Sequence, residues 1–238
     1  MDSYRIALIA HILSGVIALA AFWSAGLARK GSPFHKKIGK VYLLSMLGII
    51  LTGVPLVFGL LARGQSVGAI FLTYLLVLVS SACWQSWRAV RDKKNANAYF
   101  GFTYWSLVGI SALSGAGVIA FGAMVGSSLL QVFGGIGVFG LVGGIFSWRR
   151  APRDPKWWLK EHYGAMIGNG VATHIAFFGI GLRNMLPGVD PALVQSFAWF
   201  SPLVGALIAA IWLNRRYGRS PAKARTPAKP MTTDAQPA

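Results

Sequence analysis

The chain has 238 residues, of which 55% are hydrophobic and only 12% charged, and its 23 Lys and Arg outweigh 6 Asp and Glu for a formal net charge of +17. A soluble domain carries roughly a quarter charged residues and interrupts its apolar stretches far more often, so a water-soluble globular fold is excluded. Nucleic-acid binding is excluded too, because it needs cations gathered on one folded face, and here they lie between apolar stretches.

Six uncharged stretches follow one another: Ile6 to Ala28, Val41 to Ala62, Gly64 to Trp87, Asn95 to Trp148, His162 to Leu182 and Pro191 to Asn214. About 20 apolar residues cross the hydrocarbon core as a helix, and backbone inside that core must satisfy its own hydrogen bonds. The stretch from Asn95 is long enough for two crossings, and Gly126, Ser127 and Ser128 offer a tight turn within it. The sequence thus predicts an all-α, polytopic transmembrane helical bundle of seven spans. They fall at about 6–28, 41–62, 66–87, 100–125, 128–148, 162–184 and 191–213, in one membrane domain covering residues 1–216.

The cations orient it. The first connection holds Arg29, Lys30, Lys36, Lys37 and Lys40; the third holds Arg88, Arg91, Lys93 and Lys94; the fifth holds Arg149, Arg150, Arg153, Lys156 and Lys160. The C-terminal stretch adds six more, from Arg215 to Lys229, and only Arg5, Arg63 and Arg183 fall on the opposite side. Positive charge marks the cytoplasmic side, which puts the N-terminus outside and the C-terminus in the cytoplasm, as an odd number of spans requires. The first span is not a cleaved signal peptide, since its cationic cluster follows the apolar stretch. Residues 217–238 carry four prolines and hardly any large aliphatic residue, which predicts a disordered basic cytoplasmic tail. Its cations either meet anionic lipid headgroups or serve only as a topology signal, and the second reading is preferred. Cys83, alone of its kind, forms no internal disulfide and reads as a small apolar filler.

Ionisable groups inside a membrane are costly, and each is a candidate for function. All six carboxylates fall in connections or termini, which argues against a carboxylate proton relay and leaves four histidines. In the predicted topology His11 lies roughly 9 Å and His174 roughly 15 Å below the outer boundary, at 1.5 Å per residue. His35 and His162 lie at cytoplasmic span ends. Two pairs of neutral imidazoles on different helices are what a bundle needs to hold haem b by bis-histidine ligation, with His11 and His174 as the outer set and His35 and His162 as the inner one. One spacing opposes a stacked arrangement: His162 and His174 differ by a rise of about 18 Å and a rotation about 120° off a common face. The plainer alternative is that the inner pair is interfacial and the outer two hydrogen-bond across helices. Asn169, one turn before His174, is the polar neighbour expected to orient a ligand. No metal beyond the haem iron is expected, because neither a His-Glu-x-x-His nor a His-x-x-x-His pattern occurs.

The glycine pairs Gly122 and Gly126, Gly140 and Gly144, and Gly164 and Gly168 are spaced for close helix packing. Trp84, Trp87, Trp148, Trp157, Trp158 and Trp212 are expected as an aromatic belt at the cytoplasmic interface, with Trp199 at the outer one.

Two segments carry a resemblance. They are His35-Lys-Lys-Ile-Gly39-Lys40-Val-Tyr42, with Ala10-His11 upstream, and His162-Tyr-Gly-Ala-Met166-Ile-Gly168 within Glu161 to Phe177. With the seven-span layout they resemble a family of polytopic bacterial membrane proteins known only as a domain of unknown function, over most of residues 5 to 215. The resemblance implies that His11, His35 and His162 belong to the family pattern while the position of His174 varies, which favours a single site formed by fewer histidines. It brings no activity with it.

The reading favoured by the sequence is a multi-pass protein of the bacterial inner membrane with a histidine-ligated cofactor, haem b, used for electron transfer or quinone chemistry. A non-catalytic membrane protein that binds lipid or a partner subunit is the alternative, and a transporter of a neutral solute is the third; whether the chain is an enzyme stays open. Expected partners are the lipid bilayer, anionic headgroups at the cytoplasmic face, and a membrane redox partner or a second copy of the chain.

Overall fold

The computed structural model describes residues 3–217, and among them it is all helical, without strands. The long helices are α1 (Ser3–Leu27), α2 (Pro33–Ala62), α3 (Ser66–Arg91), α5 (Phe102–Met124), α6 (Ser128–Arg150), α7 (Trp157–Met185) and α8 (Pro191–Tyr217), with a single-turn helix α4 (Ala96–Tyr99) before α5. Among the described residues six of them, α1, α2, α3, α5, α6 and α8, are long and apolar enough to cross a membrane. Helix α7 matches them in length and carries Lys160, Glu161, His162, Asn169, Thr173 and His174 among its apolar residues. The disordered tail expected from residue 217 lies, Tyr217 apart, outside the described residues.

Several helices overrun their apolar stretches at the cation-rich end. Helix α2 starts at Pro33 because Ser32 is an extended N-cap whose hydroxyl accepts the His35 N–H at 3.1 Å, with proline at the first helical position. Arg88 and Arg91 lie in the last turn of α3, where cations suit the helix dipole. Charge marks where a helix leaves the hydrocarbon, whereas caps mark where it ends. Between α5 and α6 the chain turns at Gly126, whose φ of 69° favours glycine, and Ser127 caps α6.

Helices α3 and α7 pack side by side at the centre. The α1–α2 hairpin lies against them on one side, α5 and α6 approach through α3, and α8 covers α7. The α5–α6 contact brings backbone against backbone: a Cβ on Gly115 would stand 2.5 Å from the Gly134 carbonyl oxygen, and one on Gly137 would stand 2.1 Å from that of Ser111. Of the glycines expected to pack closely, Gly122 and Gly144 do, whereas Gly126, Gly140, Gly164 and Gly168 face open space. The buried Tyr74 hydroxyl enters the α6 ladder, accepting the Gly137 N–H at 3.0 Å and facing the carbonyls of Phe133 and Gly134.

The expected belt of tryptophans divides. Trp87, Trp148 and Trp212 are exposed. Trp157 is buried, and it packs with Trp84 around Tyr99 of α4 in a core cluster with Phe100 and Tyr104. The outward faces are apolar, with Leu113 77% and Phe139 76% exposed. A contiguous surface of that kind suits lipid.

Candidate functional site

Each of the four histidines donates or shares a hydrogen bond through Nδ1, and those bonds sort them. His11 Nδ1 meets the Thr52 hydroxyl of α2 at 2.9 Å; since that hydroxyl has the Gly48 carbonyl within 2.6 Å for its own proton, its oxygen accepts from the imidazole. His174 uses both ring nitrogens. Its Nδ1–H donates to the Gly170 carbonyl at 2.7 Å, and its Nε2 accepts the indole N–H of Trp23 at 3.0 Å, with Phe22, Trp23 and Phe178 around the ring.

The structure does not bring His11 and His174 together. The neighbour of His174 on α1 is Trp23, twelve residues beyond His11 and so about 18 Å along the helix. The outer ligand set expected from the sequence is separated, and its second member has no free nitrogen. Both residues make the cross-helix hydrogen bonds of the plainer alternative.

His35 and His162 are brought together, close enough for their charges to interact, with Lys30 in the same neighbourhood. His35 is in the first turn of α2, and its Nδ1–H donates at 3.0 Å to the Ala25 carbonyl, in the last turn of α1. His162 is in the second turn of α7, and its Nδ1–H donates at 2.9 Å to the Ser86 carbonyl of α3. A carbonyl can only accept, so each neutral ring carries its proton on Nδ1 and presents a lone pair at Nε2. Neither Nε2 has a hydrogen-bond partner among the described residues. Four helices thus converge on two imidazoles in the tautomer that a metal needs, each oriented by a carbonyl behind it. The same bonds also have a structural use. With Lys30, whose ammonium donates to the Ala25 and Gly26 carbonyls, His35 satisfies acceptors that the end of α1 leaves open.

Next to this pair is a carboxylate that the sequence placed merely in a connection. Glu161 is part-buried and accepts from the Tyr99 hydroxyl at 3.1 Å, with Ser147 as a second donor. Burial first, and then the Glu161 carboxylate, push the Tyr99 phenol well above its ordinary range, so it remains a donor at any physiological pH. Glu161 faces α4 and α6 while His162 faces α3. The signal for this contact in the sequence was the Asn95 cap of α4, which carries Tyr99 inward.

Asn169 does not orient a histidine. Its Oδ1 accepts from the Cys83 thiol at 3.6 Å, and its carbonyl accepts from Thr173 at 2.9 Å. Cys83 is therefore a polar contact as well as a filler. Among the described residues no three His, Cys, Asp or Glu gather as a metal-binding group.

Comparison of the chain with protein families, with curated proteins and with solved structures gives no match.

Proposed function

We propose that the chain is a seven-span protein of the bacterial inner membrane, N-terminus outside and C-terminus cytoplasmic, in which His35 and His162 together hold haem b at the cytoplasmic end. The observation that carries this reading is the pair of neighbouring imidazoles, each with Nδ1–H committed to a carbonyl of another helix and Nε2 left as a donor of electrons. That donor set suits a bis-histidine iron site, and the outer pair does not. His35 and His162 would be the axial ligands, and haem bound there would supply one-electron transfer. The carbonyls of Ala25 and Ser86 hold the two rings in the ligating tautomer, and Lys30 contributes positive charge suited to propionates. The kinship suggested by His35 to Tyr42 and His162 to Gly168 belongs to the same proposal. Ile38, Val41, Tyr42 and Met166 from those two segments share one core cluster.

The test is a visible spectrum of protein purified in mild detergent after expression with a haem precursor, oxidised and then reduced with dithionite. A Soret band with a reduced α-band is expected, lost in His35→Ala and in His162→Ala and retained in His11→Ala and His174→Ala. A colourless preparation overturns the assignment.

The capping of α1 by His35 and Lys30 favours a second reading, a non-catalytic membrane protein that binds lipid or a partner subunit, with its histidines structural. It predicts a colourless protein whose histidine variants lose stability alone.

A further inference from the structure

Beyond Ala198 helix α8 has no buried residue, so its cation-rich half stands off the bundle. It and α1 pack on α7 from two sides, and a cleft of about 230 Å³ lies between them with α7 as its floor. Phe22 and Trp23 form one wall, and Gly205, Ala206 and Ala209 form the other. The only polar side chains in it are Trp23 and His174. They bond to each other at 3.0 Å, and the His174 Nδ1–H is taken by the Gly170 carbonyl, so neither is left to bind a polar ligand. Such a wall fits hydrocarbon.

The rim of the cleft is of the opposite kind. On α8 Gly205, Ala209, Trp212 and Arg216 recur at spacings of three and four residues, which makes one stripe from the cleft to the helix end. The Arg216 guanidinium lies 5.4 Å over the Trp212 ring. On the facing side α1 ends at Leu27, exposed Arg29 follows, and the Lys30 ammonium is held at the Ala25 and Gly26 carbonyls. At 1.5 Å per residue Trp23 lies roughly 6 Å and Ala209 roughly 12 Å from the ends of their helices, within one leaflet of a hydrocarbon core about 30 Å thick. Trp23 and Trp212 are 52% and 54% exposed, as suits a membrane interface. No carboxylate opposes these cations. Among the described residues the three carboxylates at this end are Asp92, Asp154 and Glu161, and they are engaged by Arg88, by Lys160 and by the Tyr99 hydroxyl around α3, α4 and the start of α7.

We infer that this cleft is the site of one anionic phospholipid from the leaflet at the cation-rich end, with an acyl chain against Phe22, Trp23 and the small residues of α8 and its phosphate at Arg29 and Arg216. A guanidinium stacked on an indole keeps its in-plane N–H groups for phosphate oxygens. A neutral lipid gains the cleft without the rim, and a free phosphate gains the rim without the cleft. Neither His35 nor His162 lines the cleft, so the site is independent of the haem assignment.

The experiment is native mass spectrometry of the full chain released from detergent, titrated with dioleoylphosphatidylglycerol, with dioleoylphosphatidylcholine, and with glycerol phosphate as a headgroup without chains. The phosphatidylglycerol is expected to add with one-to-one stoichiometry, the phosphatidylcholine at least about tenfold more weakly, and glycerol phosphate not at all. Arg29→Gln and Arg216→Gln change exposed side chains and should each weaken the phosphatidylglycerol about fivefold, the worth of one cation at a membrane surface, and leave the phosphatidylcholine unchanged. Arg149→Gln with Arg150→Gln removes as many cations from the same end of the bundle, away from the cleft, and should change neither. A Cβ on Gly205 would meet nothing within 4 Å, so Gly205→Leu fills the cleft and should weaken both lipids while the protein keeps its melting temperature. Equal binding of the two lipids, binding of glycerol phosphate as tight as that of the phosphatidylglycerol, equal losses in the two arginine pairs, or lipid binding unchanged in Gly205→Leu would overturn the inference.

Discussion

At the scale of single residues, the hydrogen bonds of the histidines decide more than their depth in the membrane does. His174, expected as a ligand in the outer pair, has both of its nitrogens occupied, one by the carbonyl of its own preceding turn and one by the Trp23 indole. His174→Ala should therefore cost roughly 1 kcal/mol of stability, the usual net worth of a hydrogen bond, and leave any haem absorption unchanged; thermal unfolding and a visible spectrum of the same preparation measure both. Tyr74 carries a heavier structural role. Its hydroxyl accepts the Gly137 N–H and faces the carbonyls of Phe133 and Gly134, so Tyr74→Phe leaves buried backbone groups without a partner. A loss of about 1–3 kcal/mol is expected in unfolding from detergent, and a loss below a few tenths of a kcal/mol would show that α6 recloses its own ladder. The sequence offered a cross-helix hydrogen bond for His174 as the plainer alternative but not its partner, and it offered nothing for Tyr74, because a bond across 151 positions, as between Trp23 and His174, depends on which helices become neighbours.

At the scale of the helix, apolar length was legible while caps and neighbours were not. The long uncharged stretches are helices, and the turn at Gly126 lies where the small residues broke the longest of them. Which glycines bring helices together was not legible from spacing, because four-residue spacing puts two glycines on one face without saying what that face meets. The closest backbone approach uses Gly115, Gly134 and Gly137, whereas Gly140, Gly164 and Gly168 face open space. This yields a paired prediction within one helix. Gly137→Ala places its methyl against the Ser111 carbonyl and should separate α5 from α6, with a melting temperature well below that of the parent protein. Gly140→Ala, three residues further on, meets nothing and should be neutral or slightly stabilising, since alanine is the better helix former. Equal behaviour of the two would contradict the packing described for the α5–α6 hairpin.

At the scale of the whole molecule, the candidate site was half legible. The inner pair could be anticipated because His35 and His162 both lie at cation-rich helix ends, which any alternating bundle gathers on one side. The outer pair is separated because lying in the outer half of two different helices does not make two residues neighbours. The same logic bears on topology, where α7 is decisive. At 29 residues it is within the length range of the six apolar helices and it packs against α3, α1 and α8, and it carries Asn169, Thr173 and His174 near its middle. Asn169 and Thr173 are buried against α2 and α3, so in a helix that crosses these polar groups would face protein and not lipid. If α7 crosses, the segments at its two ends lie on opposite faces of the membrane. Single cysteines introduced into a Cys83→Ser background provide the measurement, read as labelling by a membrane-impermeant maleimide in intact spheroplasts. Gln65→Cys and Gly188→Cys should be labelled, and Lys94→Cys and Lys156→Cys should react only after the membrane is permeabilised. Protection of Gly188→Cys together with Lys156→Cys would mean that α7 folds back without crossing, leaving six spans and both termini on one side. The positive charge would then have to be explained without the positive-inside rule, because the basic C-terminal stretch would share the face of the N-terminus.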